Sequence, residues 1–428
     1  MKQIFNKFLL VVLLFLTAAQ ILFLLNSKDI EIYSFLFLAA SAIYLLFVYL
    51  LFKVDLKSNR VLFILIFLFF LKIIFVNTEP LGSDDYYRYI WDGKIQVSGI
   101  NPYQYSPEDS SLQSLHSDIL PEKVSYPEIK TIYFPVSQWL FATSYLISGE
   151  NAIGLKIFYL LFELLILISL YYLLKRFNID AKYILIYAAL PLITFQFFID
   201  AHIDIVGAAF LIGSITMYFY NKKLLSYVLL GLSISVKPTG FLLIPFLFQN
   251  EDGLKNKLKA VFIPLVIFIL TFLPYVFTAT PIDTLINYSA NWTFNGMVYN
   301  IFNILFAGNI TIRILCAILF LSVLFFLYTS KIELINKIYL SLFLLMLFSP
   351  VVHPWYLIWF AVLLPVVRSY SGIYFVAAVS LTSISVVNYQ LNSVWQENTI
   401  VLLAEYIPLT LLFIYEIFYK KYVSQIET

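Results

Sequence analysis

Charge is scarce in this sequence. Only 12% of its 428 residues are Asp, Glu, Lys or Arg, and they nearly cancel to a net charge of +2. So weak a balance leaves no basic footprint for nucleic acid, and no nucleic-acid partner is expected. Cysteine is scarcer still: Cys316 stands alone in an apolar run, which excludes a disulfide framework. A soluble domain, low-complexity tracts and a clear internal repeat are also missing. What fills the chain is apolar. Hydrophobic residues make up 61%, aromatics 19%, and the mean hydropathy is +0.89. These values belong to polytopic membrane proteins, so an all-α bundle of about 12–14 transmembrane spans is expected, with membrane lipids as partners. Abundant Phe and Tyr suit helices that face lipid and carry aromatics at the interfaces.

A helix needs roughly 20 apolar residues to cross the hydrocarbon core. The expected spans are 8–25, 31–52, 61–77, 152–174, 183–199, 203–220, 260–279, 310–329, 338–351, 355–367, 371–388 and 399–418. The first is read as an uncleaved span, because its apolar run continues past the small residues Thr17-Ala-Ala19. The apolar region 224–249 is broken by Ser235–Gly240, and two short helices are expected to meet at Lys237-Pro238. With the N-terminus inside, eighteen of the 27 Lys and Arg fall on the cytoplasmic side, Lys420 and Lys421 among them. The positive-inside rule therefore favours cytoplasmic termini, as in a bacterial plasma-membrane protein. The whole chain, 1–428, reads as one integral membrane domain. Its longest polar stretch lies in an extracytoplasmic loop, 78–151, that carries juxtamembrane helices; Ile132–Ile147 reads as an amphipathic or re-entrant one.

That loop opens with Ser83–Tyr103, "SDDYYRYIWDGKIQVSGINPY". Ser83 suits an N-cap, and Asp84 and Asp85 suit a first helical turn. A short amphipathic helix ending near Gly99 is expected. Asp85, Arg88/Tyr89, Asp92 and Gln96 share one face, while Ile90, Trp91 and Val97 can rest on the bilayer. As an interfacial helix it would simply solvate its charges. Its position a few residues after a span, however, holds the carboxylates where a lipid head group would sit.

The stretch resembles the first large extracytoplasmic loop of the GT-C superfamily of glycosyltransferases. It is nearest to bacterial mannosyltransferases that use polyprenyl-phosphate-mannose. Asp84-Asp85 stands for the family's acidic pair. Arg88, Tyr89, Trp91, Asp92, Gly93, Gly99, Asn101, Pro102 and Tyr103 match its surrounding pattern. "YFPVSQWLF", "FFIDAHIDIVG", "GLSISVKPTGFLLIP" and "HPWYLIWF" resemble later family segments in matching order. Three spans precede the acidic loop here, where the family usually has one.

Further polar groups fall in those segments. Asp200, His202 and Asp204 sit between two spans; His202 and Asp204, two residues apart, share a site only if the segment turns. Ionisable groups at membrane depth are costly and usually functional. Lys237, in a broken helix, is a compact charge suited to phosphate. His353, Trp355 and Tyr356 fall between two later spans. The resemblance implies transfer of a hexose, mannose foremost, from a polyprenyl-phosphate donor to a glycan or lipid-linked acceptor. It also implies inversion at the anomeric carbon, with Asp85 or Asp84 as base. Arg88, Lys237 and His353 would stabilise the departing phosphate; Tyr89, Asp92, His202, Asp204, Trp355 and Tyr356 would line the substrate site. No cofactor is firmly implied, although the acidic pair could hold a divalent metal. A lipid or oligosaccharide transporter and an O-antigen polymerase or ligase are the competing readings.

Overall fold

The structure, a computed structural model, describes residues 2–392 and 396–419; Lys420 and Lys421 lie outside them. It is helical, and among the described residues extended pairing is confined to isolated bridges of Phe294 and Asn295 with Val351. Three helices precede the acidic loop: α1 (Lys2–Phe23), α2 (Ile30–Leu51) and α3 (Ser58–Ile74). The loop carries α4 (Asp85–Val97) and α5 (Pro135–Ser148), and α6 (Ile153–Arg176) follows.

Seven helices among the described residues are long and apolar enough to cross a membrane, and each covers an expected span. The other windows take different forms. Residues 183–199 do not form one straight span: Ala181–Ala188 and Pro191–Ile199 meet at a 52° bend, because Pro191 cannot donate to the ladder and keeps Leu190 extended. The window 203–220 is the helix Asp204–Phe219, 16 residues long, and 338–351 is Leu334–Phe348, 15 residues long. The helix expected at 260–279 runs from Leu254 to Phe272, ending before Pro274. Residues 355–367 are no span. Prolines at 354 and 365 divide them into short turns, and Leu357–Leu364 are almost wholly buried in protein. The break in 224–249 is as expected, with Lys223–Ile234 and Pro238–Gln249 on either side.

The chain divides into two compact units. The first comprises Met1–Ile74, Leu167–Gln196 and Thr293–Thr428. Within it α1 packs on α2, whose start is capped by the Asp29 carboxylate accepting from Glu31 N at 2.7 Å. Phe37 stacks on Phe195 at 4.6 Å, and Tyr44 Oη donates to Ile186 O at 2.7 Å.

The second unit comprises Phe75–Ile166 and Phe197–Trp292. It contains an antiparallel pair, Asp204–Phe219 and Lys223–Ile234, with Leu254–Phe272 packed on the latter. An ion pair closes each end of the pair: Asp204 with Lys237 at 2.7 Å, and Lys223 with Glu251 at 2.8 Å. Glu163 of α6 is fully buried here.

In the same unit α4 packs on α5. α4 ends as its sequence dictates. Gly99 takes φ +83°, Gly99 N donates to Gln96 O at 2.9 Å, and Ile100 N to Ile95 O at 3.0 Å. This is the Schellman arrangement, which needs a left-handed residue. Gly93 sets the crossing: a Cβ there would lie 2.3 Å from the carbonyl oxygen of Phe141. Backbone cannot yield as a flexible side chain can, so Gly93→Ala must push α4 and α5 apart. A loss of about 1–3 kcal/mol is expected, read as a lowered unfolding midpoint of the purified protein; an unchanged midpoint would show that the crossing is not close-packed.

Candidate active site

The acidic pair is fixed by its neighbours in the second unit. Gly82 N donates to Asp200 Oδ1 at 2.7 Å, and Asp85 N to Ser83 Oγ at 3.2 Å. The N-cap position itself is Asp84, one residue later than expected. Its carboxylate makes no cap bond and accepts instead from the Ser125 hydroxyl. Asp84 reaches solvent, yet the surrounding protein, and next the charge of Asp85, push its carboxyl above the ordinary range against the pull of Ser125. Asp85 is half-exposed, and its Oδ2 lies 3.4 Å from Nδ1 of His202, which is buried.

His202 reaches Asp85 because Asp200–Ile203 turns. Ala201 takes φ +64°, an uncommon and strained value for a residue with a Cβ. Its carbonyl accepts from Tyr159 Oη at 3.1 Å. Asp204 then begins the next helix and meets Lys237 Nζ at 2.7 Å. Lys237 is extended, as a residue before proline should be. Val136 N donates to Ser235 O at 3.1 Å, which draws the start of α5 to the same break. Asp84, Asp85, His202, Asp204 and Lys237 thus belong to one unit, with Asp85–His202 and Asp204–Lys237 in contact.

Arg88, Tyr89 and Asp92 face inward, so α4 does not simply solvate its charges. Arg88 donates to the carbonyls of Ile129 (2.9 Å), Ser125 (3.1 Å) and Tyr126 (2.8 Å). Burial lowers its pKa, and Asp92 opposes that shift. Tyr89 stacks on Phe141 at 4.6 Å. Asp92 accepts from Gln138 Nε2 at 2.8 Å, Gln138 also donates to Thr131 Oγ1 at 3.1 Å, and Gln96 Nε2 donates to Gln138 Oε1 at 2.8 Å. Burial raises the Asp92 carboxyl to about 6, opposed by Arg88 and by the bonds from Thr131 and Gln138. Ile90 and Trp91, expected against the bilayer, are buried in protein; Val97 is exposed.

His353, Trp355 and Tyr356 lie in the first unit. The His353 ring stacks on Trp355 at 4.4 Å and on Phe294 at 4.8 Å, with Tyr356 edge-on at 5.3 Å. A metal at the acidic pair would find two carboxylates, but among the described residues no group of three or more His, Cys, Asp or Glu is arranged to hold one. Sequence reasoning missed Ser125, Gln138 and Lys156. Buried Lys156 donates to Phe75 O (3.1 Å), Thr78 O (2.8 Å) and Thr78 Oγ1 (3.1 Å), tying down the approach to the acidic pair. Its only signal was a lysine at the start of an apolar run.

An apolar helical chain with these buried ionisable pairs is an integral membrane protein built around a polar site. A family model described as the N-terminal domain of alpha-(1->6)-mannopyranosyltransferase matches residues 12–250. A second, the MptB C-terminal domain, matches residues 299–414. The chain belongs to this mannosyltransferase family and is a multi-pass membrane glycosyltransferase. No curated protein matches it.

The Asp92 network has a pH signature. A buried carboxyl with a raised pKa stabilises the fold when protonated. That contribution is fully present below about pH 4, the ordinary carboxyl value, and is lost as pH rises through about 6. Relative to Asp92→Asn, the wild type should therefore lose on the order of 3 kcal/mol between those limits. Unfolding midpoints of the two proteins across that range check it; parallel profiles would place the titration elsewhere.

Proposed function

We propose that the enzyme transfers mannose from a polyprenyl-phosphate donor to a glycan or lipid-linked acceptor at the extracytoplasmic face. The contact of half-exposed Asp85 with buried His202, next to a second pair of Asp204 and Lys237, carries this reading. Asp85 is the base. It takes the proton of an acceptor hydroxyl while that oxygen attacks the anomeric carbon and the bond to phosphate breaks on the opposite side, inverting the centre. Polyprenyl phosphate leaves as a weakly basic anion that needs no proton. His202 orients the Asp85 carboxylate. Lys237, directed by Asp204, stabilises the charge that develops on the phosphate. Asp84 is held by Ser125 and shapes the loop. Arg88, committed to three carbonyls, positions that loop and is not itself the phosphate ligand; Tyr89 and Asp92 support α4 from within. His353 keeps the donor contact, and Trp355 and Tyr356 the substrate-lining role, that the resemblance implies. No step goes through a metal.

Asp85→Asn removes the base with little change in volume. Turnover should fall by about 10²–10⁴, with donor affinity less affected, whereas Asp84→Asn should retain far more activity. Assay of both with polyprenyl-phosphate-mannose and an α-mannoside acceptor decides it: near-normal turnover in Asp85→Asn removes this carboxylate from the chemistry.

The side of the membrane is tested separately. The one native cysteine, Cys316, is buried, so reporter cysteines read cleanly. A cysteine at Ser110 should label in intact cells, and one at Lys257 only after permeabilisation. Labelling of position 257 from outside would invert the topology.

A further inference from the structure

Three aromatic residues of the second unit gather on the loop that holds Asp84. Tyr126 meets Trp292 edge-to-face at 4.9 Å and 77°, and Tyr288 stacks on Trp292 at 5.2 Å and 25°. Tyr126 is 51% exposed; Tyr288 and Trp292 are half-buried. The preceding residue, Ser125, donates to Asp84, and the Tyr126 carbonyl is pinned by buried Arg88. Tyr126 itself is held at φ +52°. A bulky residue is rare in that region, and a strained conformation persists only where the surroundings impose it. A large ring is thus locked in place, half open, one residue from the partner of the acidic pair.

We infer that Tyr126, Trp292 and Tyr288 form a stacking platform for a pyranose ring of the acceptor glycan. Aromatic faces carry negative charge, and the axial C–H groups of a hexopyranose present a weakly positive, apolar face to them. The hydroxyls at the sugar's rim stay free to meet polar groups. The acceptor is the substrate that must bring a hydroxyl within hydrogen-bond reach of the base, so a platform joined through Ser125 to Asp84, the chain neighbour of the base Asp85, serves acceptor rather than donor. A belt of interfacial aromatics offers another use for such rings, but it needs neither the pinned carbonyl nor the left-handed backbone. The assignment rests on the transferase reading above.

Tyr126→Gly tests it without forcing a new fold, since glycine adopts positive φ readily. Trp292→Phe keeps a smaller ring as the conservative control. With polyprenyl-phosphate-mannose as donor and α-(1→6)-mannotriose as acceptor, Tyr126→Gly should raise the acceptor KM by about three- to tenfold. The donor KM and the turnover at saturating acceptor should change little, and Trp292→Phe should lie between Tyr126→Gly and the wild type. An unchanged acceptor KM, a raised donor KM, or a fall in kcat alone overturns the platform. Binding of mannotriose to purified enzyme, followed by saturation-transfer NMR, decides the matter without turnover: signals on the sugar ring in wild type that weaken in Tyr126→Gly support it. Equal signals in both, or none in wild type, overturn it. If wild type binds mannotriose yet accepts no mannose from any polyprenyl-phosphate donor, the donor assignment fails while the platform stands.

Discussion

The buried guanidinium of Arg88 is the constraint on which the acidic loop depends. A charge removed from water is costly unless its hydrogen bonds are met inside. Arg88 meets them with three backbone carbonyls, all from Ser125–Ile129. A fork of fixed donors joined to three carbonyls makes the helix and the loop one body. Because α4 begins at the acidic pair and Ser125 bonds Asp84, the same three bonds fix where the carboxylates stand. An uncharged residue at 88 would leave those carbonyls without a donor, and the loop would have no reason to keep its path.

Much of the motif is architecture in the same sense. Asp92, Gln138, Gln96 and Thr131 form a buried network across α4 and α5, and Tyr275 Oη extends it by donating to Gln96 Oε1 at 2.8 Å. Asn101 donates to the carbonyls of Tyr275 and Ala279, both at 3.2 Å, and so ties the turn after α4 to the segment that follows Leu254–Phe272. Satisfied networks of this kind rigidify a structure because each lost partner leaves a buried group unpaired. With Lys156 holding Phe75 and Thr78, the acidic pair is anchored on both chain sides. Asp85 and His202 are therefore placed by a frame of satisfied buried bonds.

The sequence carried the apolar helices, the break at Lys237-Pro238 and the helix after Ser83, because each follows from local hydropathy or local backbone chemistry; the turn at Asp200–Asp204 it left open. It misled where the answer lay far along the chain. The polar face of α4 has the spacing of a solvated helix, and nothing near Asp92 announces that Gln138 will cover it. Residues 355–367 have the hydropathy of a span, yet they are core, since proline spacing limits helix length and burial by protein looks the same as burial by lipid in a hydropathy profile. The three carbonyl bonds of Arg88 were hidden for a related reason: a motif shows that a residue type is needed, not which backbone groups it meets.

The His353 segment shows how ring geometry narrows a role. Its imidazole is stacked against Phe294 and Trp355, and Tyr356 packs edge-on against it. Phe294 is in turn fixed by its neighbour. Asn295 takes φ +53°, its N donates to Glu397 at 2.7 Å, and its side chain donates to buried Glu405 at 3.1 Å. Phe294 N and O bond Pro350 O (3.0 Å) and Val352 N (2.7 Å). A clamped backbone on one side and a stacked indole on the other leave the imidazole little freedom to rotate. His353 is thus held in place by packing and by the clamped segment beside it, an arrangement that no hydropathy profile shows.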